Sequence, residues 1–163
     1  MSAEALRGDL RVRRPRERES LIEQLLAEND GVFDNKAEVM LFAAALGWAR
    51  QRREPFEKFV DPIRFNVFQK IHTGEAFIEA LAVLNCPGDA QILSDERVFE
   101  RINIFEEYAN GGLSVLHGEM NASRSQMRDV LVGLVRDSAN ANMQKSSKVP
   151  ADIRKLITRP DWA

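Results

Sequence analysis

One cysteine, Cys86, and two histidines, His72 and His117, stand in a chain of 163 residues. A lone cysteine forms no internal disulfide, and with two histidines it falls short of a Cys/His zinc cluster. Glycine and proline, nine and six residues, are too few for a collagen-like or low-complexity chain. No uninterrupted apolar run approaches the roughly 20 residues of a membrane span. Residues 1–20 hold no apolar stretch of the secretory type, so the expected setting is reduced and cytoplasmic. The glycine loops of P-loop and dinucleotide-binding proteins are missing. So are the Gly-x-Ser-x-Gly elbow, zinc-finger spacing and the RNP motif. His117-Gly118-Glu119 lacks the spacing that puts two imidazoles on one helix face, and Gly74 intervenes between His72 and Glu75. Both histidines are expected in structural or surface roles. No catalytic residue, no metal site and no cofactor is expected.

What is present is charge, unevenly placed. The net charge is only −2, yet residues 1–18 carry six arginines against three acids, and residues 19–47 one lysine against six acids. Residues 48–72 return to six basic residues against three acids. Residues 73–120 hold nine acids against two arginines, and residues 124–163 eight basic residues against four acids. Such segregation suits contact with a polyanion or with a complementary protein. It equally suits basic segments that lie over the chain's own acidic helices.

The hydrophobic periodicity is helical. Leu21, Ile22, Leu25 and Leu26 form one face of a short helix. Asn35, with Glu38 three residues on, predicts the capped start of a helix over 36–50. Its run Val39 to Leu46 is apolar all round, which predicts a central helix with Leu41, Phe42, Ala45 and Leu46 buried on several sides. Asp61-Pro62 reads as an N-cap with proline at N1. Thr73-Gly74 breaks the pattern, and Cys86-Pro87-Gly88 is a turn. Ser94 caps a long helix that Gly111-Gly112 ends or kinks, and Ser123 to Gln126 has capping-box form. The expected fold is all-α: a single compact domain of six or seven helices with a buried central helix. Residues 1–20 are expected as a basic N-terminal arm and 21–137 as the helical core domain. Residues 138–163 are expected as a flexible basic tail with a short terminal helix through Ile153, Leu156 and Ile157.

The basic clusters carry the better functional signal. Arg13, Arg14 and Arg16 crowd the arm, and Arg52 and Arg53 follow the central helix. Guanidinium forks donate paired hydrogen bonds to phosphate or carboxylate. These five arginines are the expected contact with DNA phosphate or with an acidic partner face. Asp34-Asn35-Lys36 has the look of a nuclease acidic-x-Lys element. That chemistry needs a second carboxylate on a neighbouring strand to share the metal, and the setting reads as a helix start. The carboxylate pairs Glu106-Glu107 and Glu75/Glu79 read as solvated helix faces.

The stretch Phe33-Asp34-Asn35-Lys36-Ala37-Glu38-Val39-Met40-Leu41-Phe42-Ala43-Ala44-Ala45-Leu46-Gly47, its exit Arg52-Arg53-Glu54-Pro55, and Phe105-Glu106-Glu107-Tyr108-Ala109-Asn110-Gly111-Gly112-Leu113 resemble one known family. It is the Dnd system-associated protein 4 family, also called DNA phosphorothioation-associated protein 4. The likeness spans roughly residues 30–117. It implies a place beside bacterial systems that exchange a non-bridging phosphate oxygen of DNA for sulfur and restrict DNA lacking the mark. It brings no catalytic residues. One cysteine and no P-loop put desulfuration, iron–sulfur and ATP chemistry in other proteins. The implied role is a non-enzymatic accessory component of that defence system, binding DNA or the system's other proteins. The alternatives are a small metal-dependent nuclease or hydrolase, and a transcriptional regulator of the defence operon.

Overall fold

A computed structural model describes residues 9–146 of the chain. Six α-helices and one small sheet make up the described fold: β1 (Arg11–Pro15), α1 (Glu19–Gln24), α2 (Lys36–Ala49), β2 (Phe59–Arg64), α3 (Phe65–Lys70), α4 (Gly74–Asn85), α5 (Val98–Ala122) and α6 (Met127–Ser146). The fold is therefore mostly helical but not strictly all-α.

The sheet lies where the sequence suggested an arm. In β1, Val12 and Arg14 alternate inward with Leu10 before them; all three are buried. An arginine at a core-facing position hides this period-two pattern from a hydrophobic count. β1 and β2 pair antiparallel, Val12 opposite Ile63 and Arg14 opposite Val60. One residue of β1, Arg13, thus faces two of β2, which is a bulge at Asp61-Pro62. Proline has no N–H to give to a ladder, and a bulge on an edge strand tolerates it. The expected helix start at Asp61-Pro62 is corrected accordingly: the helix begins at Phe65.

α2 begins as expected. The Asn35 side chain accepts the Glu38 N–H at 3.1 Å, and the Glu38 carboxylate accepts the Asp34 N–H at 3.0 Å. The helix ends in a Schellman arrangement: Gln51 N–H reaches Trp48 O at 3.0 Å and Arg52 N–H reaches Gly47 O at 2.8 Å. Gln51 occupies the left-handed position, with φ of 54°. α2 buries Val39, Met40, Ala43, Ala44 and Leu46. Leu41 and Phe42 are only half-buried and Ala45 is exposed, so burial comes from one broad side rather than from all round.

α5 is the partner of that side. Gly111 and Gly112 do not end it; α2 crosses it at Gly112. A Cβ on Gly112 would stand 1.7 Å from Ala43 O, and one on Gly47 2.1 Å from Tyr108 O. Backbone meets backbone there, and no side chain fits between. Phe68 and Phe105, fully buried, meet edge-on with centroids 5.6 Å apart and anchor α3 to α5. Arg101 is buried and donates to the carbonyls of Ile92 and Ser94 at 2.7 and 2.6 Å. That tether fixes the two short turns leading into α5. Ser94 makes no capping bond of its own, and Ser123 accepts from Ser125 N–H ahead of α6. Residues 138–146 continue α6 where a tail was expected. The expected terminal helix lies outside the described residues.

Candidate interaction site

Asn103, Glu106, Glu107, Asn110 and Ser114 recur along α5 at helical spacing and form one polar stripe on a helix otherwise largely buried. β1 and the loop after α2 cover this stripe, and they carry Arg13, Arg52 and Arg53 of the expected site arginines. The backbone explains the placement. A Cβ on Gly111 would stand 2.0 Å from Arg52 O, so glycine lets the loop lie flat on the helix. Glu54 N–H then reaches Glu107 O at 3.0 Å, and the Asn110 amide reaches Glu54 O at 3.1 Å.

Arg13 lies over the stripe. It gives Nε and Nη2 to the Glu106 carboxylate at 2.8 and 2.6 Å, and Nη2 also to Asn103 at 3.0 Å. Its guanidinium sits 5.4 and 5.7 Å from the Phe56 and Phe59 ring centres, within cation–π range. Burial pushes the Glu106 carboxyl above its ordinary pKa, against the opposing pull of the Arg13 hydrogen bonds.

Arg53 donates to Glu107 at 2.5 Å and to Asn85 at 3.2 Å, over the Tyr108 ring. Asn103 joins the two halves by donating to Glu107 at 2.9 Å. Further along, Ser114 donates to Glu54 at 2.5 Å and accepts from Arg18 at 2.9 Å. Arg52 donates to the same Glu54 at 2.5 Å. Burial alone would raise the Glu54 carboxyl, but the bonds from Ser114 and Arg52 outweigh it and the pKa falls below its ordinary value.

Arg14 turns to the other face of β1. It is buried, paired with Glu19, and donates to Asp61 O, in the bulge, at 3.2 and 2.8 Å. Glu19 also accepts from Lys36 at 2.8 Å. Its carboxyl is lowered, because the bonds from Lys36 and Arg14 outweigh the upward effect of burial. Arg16 is exposed, and its side chain has no ion pair with another described residue. Its backbone N–H reaches Lys58 O at 3.0 Å.

So the structure brings Arg13, Arg52 and Arg53 to one polar stripe, sets Arg16 at its border and keeps Arg14 inside. Their partners Glu54, Glu106, Glu107 and Ser114 were not among the expected site residues. The acids were visible as charge, but the pairing of Arg13 with Glu106 spans 93 positions, and no local signal encodes it. Beside the stripe opens a cleft of about 480 Å³ bordered by Pro15, Arg18, Glu54, Phe56, Lys58 and Asn110.

The nuclease-like elements are occupied differently. Lys36 is held by Glu19 and Glu23, and Asn35 between it and Asp34 is a helix cap. Among the described residues no group of three or more His, Cys, Asp or Glu is arranged to hold a metal ion. No described helix is long and apolar enough to cross a membrane.

Fold and site together define a small helical protein whose charged face is built on one polar helix stripe. Residues 11–155 match the family model for DNA sulphur modification system-associated protein 4, and the chain belongs to that family. Its association is with a DNA sulphur modification system. No curated protein and no solved structure matches the chain.

Proposed function

We propose that the protein is a non-enzymatic accessory component of a bacterial DNA phosphorothioation-linked defence system, and that it binds the system's other proteins through the α5 stripe and the cleft beside it. Arg13, Arg16, Arg52 and Arg53 make the contact, and Arg14 holds β1 against β2 behind them. The pairing of three of these arginines with the chain's own carboxylates supports this most: Arg13 with Glu106, Arg52 with Glu54 and Arg53 with Glu107. A phosphate backbone would have to displace those carboxylates. A partner face of mixed charge adds to the network without breaking it. The cleft, with Pro15, Pro55 and Phe56 among lysine, arginine and glutamate, offers the apolar contact such a face needs.

Co-purification with the system's modification and restriction proteins tests this. Wild type carries a partner through the column, and Arg16→Ala/Arg52→Ala/Arg53→Ala loses it while staying folded. Retention of every partner by the triple variant overturns the assignment.

A DNA-binding reading is favoured by Arg16 and Lys58, exposed neighbours with no ion pair to another described residue. Gel shifts at about 50 and 200 mM salt separate the two readings, because phosphate contacts weaken steeply over that range. A salt-sensitive shift lost on Arg16→Ala/Lys58→Ala supports DNA contact. The protein is expected to cut neither modified nor unmodified DNA with Mg²⁺ or Mn²⁺. Turnover that vanishes on Asp34→Ala would restore the nuclease alternative.

A further inference from the structure

We infer that the cleft beside the α5 stripe takes a carboxylate of the partner protein against Arg18 and Lys58; this rests on the protein-partner reading above and names the chemistry of its contact. Arg18 carries the inference. Among the described residues the buried or half-buried arginines are Arg13, Arg14, Arg18, Arg97 and Arg101. Arg13, Arg14 and Arg97 each pair with a carboxylate of the chain, and Arg101 donates to two carbonyls. Arg18 has one neutral partner, the Ser114 hydroxyl at 2.9 Å, and no ion pair with another described residue. A guanidinium has five N–H donors, and partial burial withholds water from those that Ser114 leaves over. The local backbone explains its place. Arg16–Arg18 is a short 3₁₀ turn after Pro15, and side chains three apart eclipse in such a turn, so Arg18 stands on the side of Pro15. Arg16 N–H fastens the turn to Lys58 O at 3.0 Å. Arg18 and Lys58 therefore border one cleft of about 480 Å³, whose apolar lining is Pro15, Pro55 and Phe56. That volume is within the range of ligand pockets.

The charges around the cleft are mixed, and the mixture narrows the occupant. Glu17, Glu54 and Glu57 line it as well. Both oxygens of Glu54 are taken, Oε1 by Arg52 and Oε2 by Ser114, each at 2.5 Å. Arg18 adds to their pull on that carboxyl without a bond to it. Glu17 and Glu57 are exposed and have no ion pair with another described residue. Lys58 is free in the same sense, and Arg16, exposed beside it, adds a further positive charge at the rim. A nucleic-acid strand carries a charge at every phosphate, so a phosphate at Arg18 would bring others toward Glu17 and Glu57. A polypeptide can set a single carboxylate between basic side chains. The occupant that matches every charge on the lining is an Asp or Glu side chain flanked by lysine or arginine, with an apolar neighbour against Pro55 and Phe56.

Amide and guanidinium NMR signals of the full chain read the outcome. The probe is the peptide Lys-Leu-Glu-Leu-Lys, acetylated and amidated at its ends, added to about 10 mM, a range that detects millimolar binding. The Arg18 Nε–H and Lys58 N–H signals should shift and saturate. The same peptide with glutamine for glutamate should bind about tenfold more weakly, since a bond to a charged group contributes about 1.5 kcal/mol or more. Arg18→Gln should abolish that preference, and so should Lys58→Gln, an exposed change that spares the Ser114 bond. Circular dichroism checks that both variants remain folded. Equal binding of the two peptides, no shift at the highest concentration, or a preference that survives in Arg18→Gln overturns the inference. So does a plain DNA duplex that moves the Arg18 signal at lower concentration than the glutamate peptide, which would give the cleft to phosphate. The protein-partner reading is scored separately. A partner still co-purified by Arg18→Gln/Lys58→Gln leaves that reading standing and removes the cleft carboxylate. A glutamate preference in a chain that co-purifies no partner keeps the site and removes the reading.

Discussion

Glu106 on α5 takes the backbone and the side chain of Arg13 together. Its Oε1 accepts the Arg13 backbone N–H at 2.5 Å, and its Oε2 accepts Nε and Nη2 at 2.8 and 2.6 Å. In an antiparallel ladder alternate residues turn their N–H away from the neighbouring strand. The Arg13 N–H is one of these, and it would otherwise be an open edge group. A two-stranded sheet is marginal alone. Here one buried carboxylate closes its edge and docks it on the helix.

Removing Arg13 should therefore cost more than an exposed ion pair. Arg13→Ala leaves Glu106, 1 % exposed, without its counter-charge. Breaking a buried pair costs about 3–5 kcal/mol. The Arg13 side chain is 36 % exposed, so solvent screening should reduce this to about 2–4 kcal/mol. Adding Glu106→Gln should recover part of the loss, since a neutral amide is cheaper to bury than a lone charge. Urea denaturation of the two single variants and the double variant measures the coupling, and strict additivity would contradict it.

Glycines at three helical positions should respond in opposite directions. Gly112→Ala forces a methyl to 1.7 Å from Ala43 O, where the obstacle is backbone and cannot swing aside. A cost above about 3 kcal/mol is expected, beyond ordinary overpacking. At Gly118 and Gly133 an added Cβ meets nothing within 4 Å. Alanine there should stabilise by about 0.5–1 kcal/mol through helix propensity alone. Thermal melts of the three variants decide the matter. An unchanged Gly112→Ala midpoint would mean that α2 and α5 do not cross at this point.

These glycines also mark the limit of what the sequence made legible. Asn35 with Glu38 announced the start of α2, because a cap is a local device. Gly111-Gly112 was expected to end or kink a helix, because glycine signals both a break and a close approach, and only the partner helix distinguishes them. β1 escaped detection because Arg14 fills a position where alternation would show an apolar residue. Pro62 suggested a helix start because a bulge and a first helical turn both accept it. Of the interaction site, the arginines were visible and their acceptors were not. Arg13 and Arg53 find Glu106 and Glu107 across 93 and 54 positions, and such pairing is a product of the fold.

Gln51 offers a test at the entrance to the Arg52–Arg53 loop. It stands left-handed, φ 54°, where helix ends usually place glycine. Left-handed backbone costs a side-chain-bearing residue about 1–2 kcal/mol. Its side chain returns part of this by donating to Trp48 O at 3.1 Å. Gln51→Gly should stabilise by about 0.5–1 kcal/mol and leave the Schellman bonds intact. Gln51→Val should destabilise, since a β-branched chain is worst there. If both variants melt like wild type, the left-handed turn is absent in solution.

The pH dependence should have two limbs of opposite sign. Glu19 and Glu54 have lowered pKa values, so the folded chain gives up their protons more readily than the unfolded chain. Their stabilisation is complete above the ordinary carboxyl value of 4.5 and is lost as pH falls through the lowered values. Glu106 is raised, so the folded chain keeps its proton to higher pH than the unfolded chain. Its contribution is complete below 4.5 and is lost as pH rises through the raised value. Glu19→Gln should therefore flatten the acid limb of a plot of urea midpoint against pH. Glu106→Gln should leave that limb steep and remove the decline on the other side, because the amide has no proton to lose. Wild type and the two variants, measured between about pH 3 and 8, separate the contributions. A decline above pH 4.5 that survives in Glu106→Gln would show that the buried carboxylate is not its source.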